Sequence, residues 1–526
     1  NVYFFAERGL EVSDSAVRAL ADKFQTEIYP TNRAFFGSEW TPGVDGDPRL
    51  YILYARGLGF SVLGYYYPVD EYSRLAYPYS NEKEIFYVNA DVTSPGDPEL
   101  ASTLAHEFQH MIHWRQDLNE EGWVNEGAAM LAELLNGFRP LGHATDFIAQ
   151  PDLQLTTWSD GDTIPHYGAA YLFLAYFLDR FGEEATKALM ANPANGLAAV
   201  DAVLAERGLT DPATGRPLTA DEVLADWAVT NLLGDPAVAD GRYAYRRLAN
   251  APTVEPSEAI RRCPAPAQSF TVSQHAADYI AITCPGAYTF TFAGAAQVPV
   301  VPADPATGRF AFWSNRGDES VSALTRAFDL SGLASATLTY STWWDIEQDY
   351  DYGYLEVSTD GGQTWTILRA PGTTDSNPTG ANFGWGYTGK SDRWVEETVD
   401  LSAYAGQAIL VRFEYITDAM LNTPGWLIDD VRVPELGYAA DFEQDAGGWE
   451  AEGFVRLENA LPQRFTVQLV RQARGQTTVA PVPLDGANRG QAALTLEPGD
   501  VVTVVIMALT RQTTELAEYR VSLEMP

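Results

Sequence analysis

The hydrophobic pattern changes period along the chain. Near the N-terminus, Arg49-Leu50-Tyr51-Ile52-Leu53-Tyr54 and Glu84-Ile85-Phe86-Tyr87-Val88 are β-branched and aromatic, and Gly, Pro, Asp and Asn bound them. That pattern predicts strands. After Asp97 the apolar positions Leu100, Leu104, Phe108, Met111 and Ile112 recur at helical spacing. Asp97 is a good N-cap, and Pro98 suits the first helical position. Further helices are predicted over 126–136, 167–182, 184–192, 197–207 and 220–233. Residues 1–250 therefore read as one mixed α and β domain.

Past about residue 250 the helical spacing stops. Pro252, Pro256, Pro264 and Pro266 crowd a linker. Short alternating strands follow to the end, separated by turn clusters such as Thr359-Asp360-Gly361-Gly362 and Asp485-Gly486-Ala487-Asn488. This is the pattern of all-β domains of sandwich or jelly-roll type. The expected division is a small β segment over 251–305 with Cys263 and Cys284, a β-sandwich over 306–452, and a C-terminal β domain over 453–526 that can pack with 251–305.

Composition narrows the partners. A chain of 526 residues exceeds what one core usually serves. Its 46% hydrophobic and 20% charged residues are globular proportions. The net charge is −37, with 34 basic against 71 acidic residues. Such a surface repels phosphate backbones and anionic lipid, which argues against nucleic acid and membrane partners. It also leaves carboxylates to hold calcium. No run of 18 apolar residues occurs, so no membrane insertion is expected. The chain begins at Asn1 without a signal-peptide h-region, the expectation for a processed, mature, secreted form. In an oxidising compartment Cys263 and Cys284 are expected to pair; the alternative is two reduced, buried thiols.

The chemistry lies in His106-Glu107-Phe108-Gln109-His110. Helix positions i and i+4 share a face, so both imidazoles can reach one metal ion. A catalytic zinc site takes three protein ligands and keeps one position open for water. Glu107 is placed to reach that water as general base, and zinc lowers the pKa of the water towards about 7. Three of the six histidines (106, 110 and 113) fall in this helix, and its flanks are apolar. That counts against two solvated surface histidines. Glu126, at the head of the next predicted helix, is the expected third ligand. Its competitors are Asp117, Glu120, Glu121 and Glu133. The first three lie in a polar connection and are expected to be solvated. Glu133 lies two turns beyond Glu126 on the same face and reads alternatively as an acceptor for a ligand histidine. Tyr167, and after it His166, are candidates to stabilise the oxyanion; a core aromatic is the alternative for Tyr167. His113 reads as a packing residue or an outer partner of the ligands. His143 and His275 read as structural. Substrate is expected to pair with an edge strand, and the strand at 84–90 is the candidate.

His106-Glu107-Phe108-Gln109-His110 followed by Asn125-Glu126-Gly127 resembles the gluzincin clan of metallopeptidases. His106 to Ile112 with Trp123-Val124-Asn125-Glu126-Gly127 more closely resembles the hyicolysin-like bacterial peptidases. The resemblance implies a zincin-like α+β catalytic domain with His106, His110 and Glu126 as zinc ligands and Glu107 as base. Met130 stands four residues after Glu126, where the thermolysin pattern has Asp. The Gly-x-Met-Glu-Asn segment of the clan's aminopeptidases is absent, which favours an endopeptidase.

In the β half, Thr342 to Gly353, Ser358 to Gly362 and Gly425 to Val431 resemble the MAM-like β-sandwich module of immune inhibitor A peptidases over about 310–450. Asp345, Glu347, Asp349 and Asp351 alternate and would share one face of a strand, a candidate calcium site; a solvated acidic face is the alternative. Trp343 and Trp365 could hold a glycan or protein if exposed, but core packing is the favoured reading. The combined reading is a secreted zinc metalloendopeptidase acting on protein or peptide substrates, with accessory β domains. The rivals are a catalytically decayed, peptidase-fold adhesin and a zinc aminopeptidase. Retention of Glu107 counts against decay.

Overall fold

The computed structural model describes residues 2–59, 62–158, 161–418, 421 and 423–526. Val2–Ala6 (β1), Leu50–Ala55 (β2), Gly64–Tyr66 (β3) and Ile85–Asn89 (β4) form a sheet in the order β1-β2-β4-β3. β1, β2 and β4 run parallel, and β3 returns antiparallel to β4. β4 is buried along its whole length, as a parallel strand covered on both faces should be.

This topology corrects the expected substrate strand. β4 is bonded to β2 on one side and to β3 on the other, so it has no free edge. The edge is β3. Three residues are too few to show a period, which is why the sequence did not mark it.

Helices Asp14–Lys23 (α1) and Tyr29–Phe36 (α2) are joined through a π turn over Phe24–Ile28. Pro98–Gln116 (α3) starts as expected, with the Asp97 side chain accepting the Glu99 N–H. Gly122–Leu135 (α4), Leu141–Ile148 (α5), Ile164–Phe181 (α6), Glu183–Met190 (α7), Gly196–Glu206 (α8) and Ala220–Leu233 (α9) follow. α4 begins before residue 126 because its lead-in is not solvated. Glu120 is buried and accepts the N–H groups of Glu121 (2.6 Å) and Gly196 (2.7 Å), while Glu121 accepts the Trp123 indole N–H at 2.7 Å. The expectation that Glu120 is solvated is therefore corrected.

α3, α4 and α6 share one core through Leu104, Phe108, Met111, Leu131, Tyr171 and Leu174. Two glycines set how closely these helices approach. A Cβ on Gly127 would sit 3.0 Å from the Ala170 carbonyl oxygen, and one on Gly168 only 1.9 Å from that of His143. Gly127 thus lets α4 close on α6, and Gly168 lets α5 close on α6.

Beyond residue 250 the structure is all β. One sandwich has Thr337–Ile346 and Gly425–Val433 in one sheet and Tyr352–Ser358, Ala408–Ile416 and Val321–Asp329 in the other, around Tyr340, Leu355, Phe413 and Trp426. A second sandwich mixes strands from before and after it. Ala277–Ile282 pairs with Val501–Ala508, and Gly286–Gly294 pairs with Arg489–Leu496 and Ala517–Glu524. The first sandwich is thus inserted into the second. Cys263 and Cys284 form a disulfide with Cα atoms 6.0 Å apart. The second sandwich is fused to the helical domain: Tyr279 Oη donates to the Ala228 carbonyl and Gln468 Nε2 to that of Ala225, both at 2.9 Å. Val505, Met507 and Leu509 join the core that holds α3. The whole is an α+β domain followed by all-β domains. Among the described residues no helix is long and apolar enough to cross a membrane.

In the β half the tryptophans follow the core-packing reading, and the expectation for the acids changes. Trp343 is only 7% exposed and packs with Val300, Val301, Trp313 and Leu427, so it offers no ligand surface. Trp365 is half-buried and covered by the Arg412 guanidinium, 3.8 Å from its ring. The four alternating carboxylates do not share a strand either. The strand ends at Ile346, and the chain turns through Asp349 with φ 69°.

Candidate active site

His106 and His110 stand one turn apart on α3, with ring centroids 4.8 Å apart. Glu126, in the first turns of α4, places Oε2 3.1 Å from His106 Nε2 and 3.4 Å from His110 Nε2. Zinc bonds of about 2.0–2.1 Å at tetrahedral angles put ligand atoms about 3.3 Å apart. Both separations from Glu126 match that spacing, and the three donor atoms lie within 4.8 Å of one another.

The far sides of the rings are held as well. His106 Nδ1 lies 3.0 Å from Glu133 Oε1, and His110 Nδ1 lies 3.0 Å from Asn125 Oδ1. Ser102 donates to the other oxygen of Glu133 at 2.5 Å. A neutral imidazole that donates through Nδ1 presents its Nε2 lone pair to the centre, the form a metal needs. Burial works to lower the pKa of His106 and His110, but the surrounding carboxylates, Glu126 and Glu107 at both and Glu133 at His106, together raise both. Burial would raise Glu126, yet the two imidazoles hold it well below the usual carboxylate range.

Glu107 is 7% exposed, and its Oε2 accepts the backbone N–H of Tyr66 at 2.9 Å. Burial pushes its pKa up, against the pull of the two histidines. Tyr167 turns its hydroxyl to the Glu126 carboxylate. Burial, then Glu126 and Glu107, push that hydroxyl well above its ordinary pKa. Its ring lies 6.2 Å from His106, edge-on to Trp158 at 4.9 Å and to His143 at 5.8 Å. His166 is one residue earlier, about 100° round the helix, and packs on Trp158 at 5.6 Å. The structure brings Tyr167 to the histidines and leaves His166 outside.

His113 is buried one turn past His110. Burial, and then His110, push it down to about 4. It is not part of the converging set, which is His106, His110 and Glu126. His275 lies in the seam between domains, its Nδ1 3.0 Å from Thr156 Oγ1. Sequence reasoning missed Asn125, Ser102, Trp158 and the Tyr66 amide. Asn125 carried a signal, since it adjoins Glu126. Ser102 carried another, one turn before His106. In the β-sandwich the carboxylates that converge, within 4.8 Å, are Glu347, Asp351 and Asp418 rather than the alternating four. Asp345 instead pairs with Lys390 at 3.2 Å.

Residues 295–459 match the family model of the immune inhibitor A-like MAM domain. The pre-pro-metalloprotease PrtV of Vibrio cholerae serotype O1 is 36% identical over 154 residues, which is 29% of this chain and 16% of that protein. The neutral metalloprotease ShpI of Staphylococcus hyicus is 27% identical over 209 residues, 35% of this chain and 47% of that protein. Immune inhibitor A of Bacillus thuringiensis subsp. alesti is 30% identical over 155 residues, 29% of this chain and 21% of that protein. Each alignment spans less than half of the relative's own length. The resemblances drawn from the sequence, to metallopeptidases of the hyicolysin-like and immune inhibitor A types, are thus met by relatives named as metalloproteases.

Proposed function

We propose that this protein is a secreted, zinc-dependent endopeptidase. The observation that carries the reading is the convergence of His106 Nε2, His110 Nε2 and Glu126 Oε2, with Glu107 on the same helix beside them. His106, His110 and Glu126 would hold the zinc ion, which when bound supplies an activated water and polarises the scissile carbonyl. Glu107 takes a proton from the attacking water and returns it to the leaving amine. The Tyr66 N–H holds one of its oxygens, which fixes the carboxylate through both transfers. Tyr167 donates its hydroxyl proton in a hydrogen bond to the developing oxyanion.

Substrate aligns along β3. Asn89 N–H donates to the Leu63 carbonyl at 2.9 Å, so Leu63 faces β4. Alternation then turns the backbone groups of Gly64 and the carbonyl of Tyr66 outward, ready to pair with an extended peptide, while the Tyr66 N–H on that side stays on Glu107. The Cys263–Cys284 disulfide and the acidic surface support an extracellular setting.

Casein hydrolysis by the wild type and Glu107→Gln, with metal analysis of both, tests the reading. About one zinc in each protein and cleavage by the wild type alone is the expected result. Zinc binding without cleavage by either would favour a binding protein built on a peptidase fold. Peptides with blocked N-termini should be cleaved as well as free ones; an aminopeptidase would require the free amine.

A further inference from the structure

Tyr66 is bonded at both ends. Its N–H donates to Glu107 Oε2 at 2.9 Å, and its phenol donates to Glu71 Oε1 at 2.6 Å. Glu71 closes the one-turn 3-10 helix Pro68–Glu71 and is 5% exposed. The ionisable groups that face it are Tyr66 from β3, Glu84 just before β4, Glu39 beyond α2 and Arg115 from α3. Burial, with Glu84 and Glu39 nearby, pushes Glu71 up to about 7, against the pull of Tyr66 and Arg115. Burying a carboxyl among other carboxylates costs stability. β3 does not need it for packing, because Tyr65 already stacks on Tyr87 with centroids 4.6 Å apart. What β3 lacks is lateral restraint. It is three residues long and paired on one side only, so its backbone position is weakly determined.

We propose that Glu71 is a positioning residue for the catalytic base: by anchoring the Tyr66 phenol it sets the height of the β3 backbone, and so keeps the Tyr66 N–H on the carboxylate of Glu107. This rests on Glu107 being the base. Glu71 reaches β3 through the Tyr66 phenol and so acts through Tyr66.

The test combines kcat and KM on a fluorogenic peptide with residue-resolved hydrogen exchange at the Tyr66 amide. The proteins are the wild type, Tyr66→Phe, Glu71→Leu, Glu71→Gln and the Tyr66→Phe/Glu71→Leu double variant. Tyr66→Phe and Glu71→Leu should each lower kcat about tenfold, the scale of one lost hydrogen bond, with zinc content unchanged and faster exchange at Tyr66. The double variant should be no worse than either single one. Glu71→Gln keeps an acceptor oxygen for the phenol and should restore both readouts. Unchanged exchange at Tyr66 in Tyr66→Phe, or Glu71→Gln as impaired as Glu71→Leu, would overturn the proposal. Should Glu71→Leu not fold, Tyr66→Phe removes the same bond and decides alone. A wild type that binds zinc and cleaves nothing sinks the peptidase reading and the catalytic role with it, while exchange at Tyr66 separately decides whether Glu71 anchors β3.

Discussion

Glu133 Oε1 lies 3.0 Å from His106 Nδ1, on the side of the ring away from Glu126. The two residues are on different helices, and the bond fixes both the tautomer and the tilt of the imidazole. Removing such a partner typically weakens metal binding about 10–100-fold. Glu133→Ala should show that loss in a zinc competition assay, with Glu133→Gln intermediate. Zinc affinity equal to that of the wild type would mean that the bond does not orient the ligand.

Glu126 is the only acid whose oxygen lies within reach of both Nε2 atoms among the described residues. Glu126→Ala should lose its bound zinc on dialysis, and activity with it. A chelator should silence the wild type in the same way, and zinc should restore it. Full zinc retention by Glu126→Ala would exclude it as a ligand.

Tyr167 and His166 are neighbours in sequence with opposite surroundings. Loss of one oxyanion donor typically costs about 10²–10³ in kcat. Tyr167→Phe should fall in that range with KM and zinc content little changed, whereas His166→Ala should keep most of its activity. The reverse ranking would hand the role to His166.

Burial raises Glu120 to about 8 and Asp278 to about 7. In the unfolded chain both release their protons near 4, so over the interval up to neutrality the folded state binds more protons. Stability from these groups is therefore full at low pH and is lost as pH rises from about 4 towards their folded values. The melting temperature of the wild type relative to Glu120→Gln should therefore decline between pH 5 and about 8. A difference between the two proteins that stays constant over that interval would contradict it.

At the crossing of α5 and α6, a Cβ on Gly168 meets the His143 carbonyl oxygen at 1.9 Å. Backbone cannot yield cheaply there, so Gly168→Ala should cost about 1–3 kcal/mol. It should also disturb Tyr167 next to it. Unchanged denaturant stability would show that the helices can separate freely.

Legibility followed the range of the forces involved. The spacing of His106, Glu107 and His110 depends on helix geometry alone, and Asp97 with Pro98 marks where that helix starts. The strand β4 was visible because its apolar run is continuous. β3 was not, because three residues have no period and the strand exists only by pairing with β4. The early start of α4 was hidden for a similar reason: Glu120 looks like a loop acid, and only the amide of Gly196, on a distant helix, makes it a buried acceptor.

The sequence by itself determined that two imidazoles and a carboxylate lie within two turns in the middle of a buried helix, and that an α+β half precedes an all-β half. Both are properties of local periodicity. Which strand next to the active-site helix lies at the sheet edge, which of Tyr167 and His166 faces the histidines, and which carboxylates meet in the β-sandwich were decided by tertiary structure. These depend on helix crossing and strand pairing between segments far apart in the chain. Asp418 reaches Asp351 across 67 residues, and no local pattern encodes that meeting.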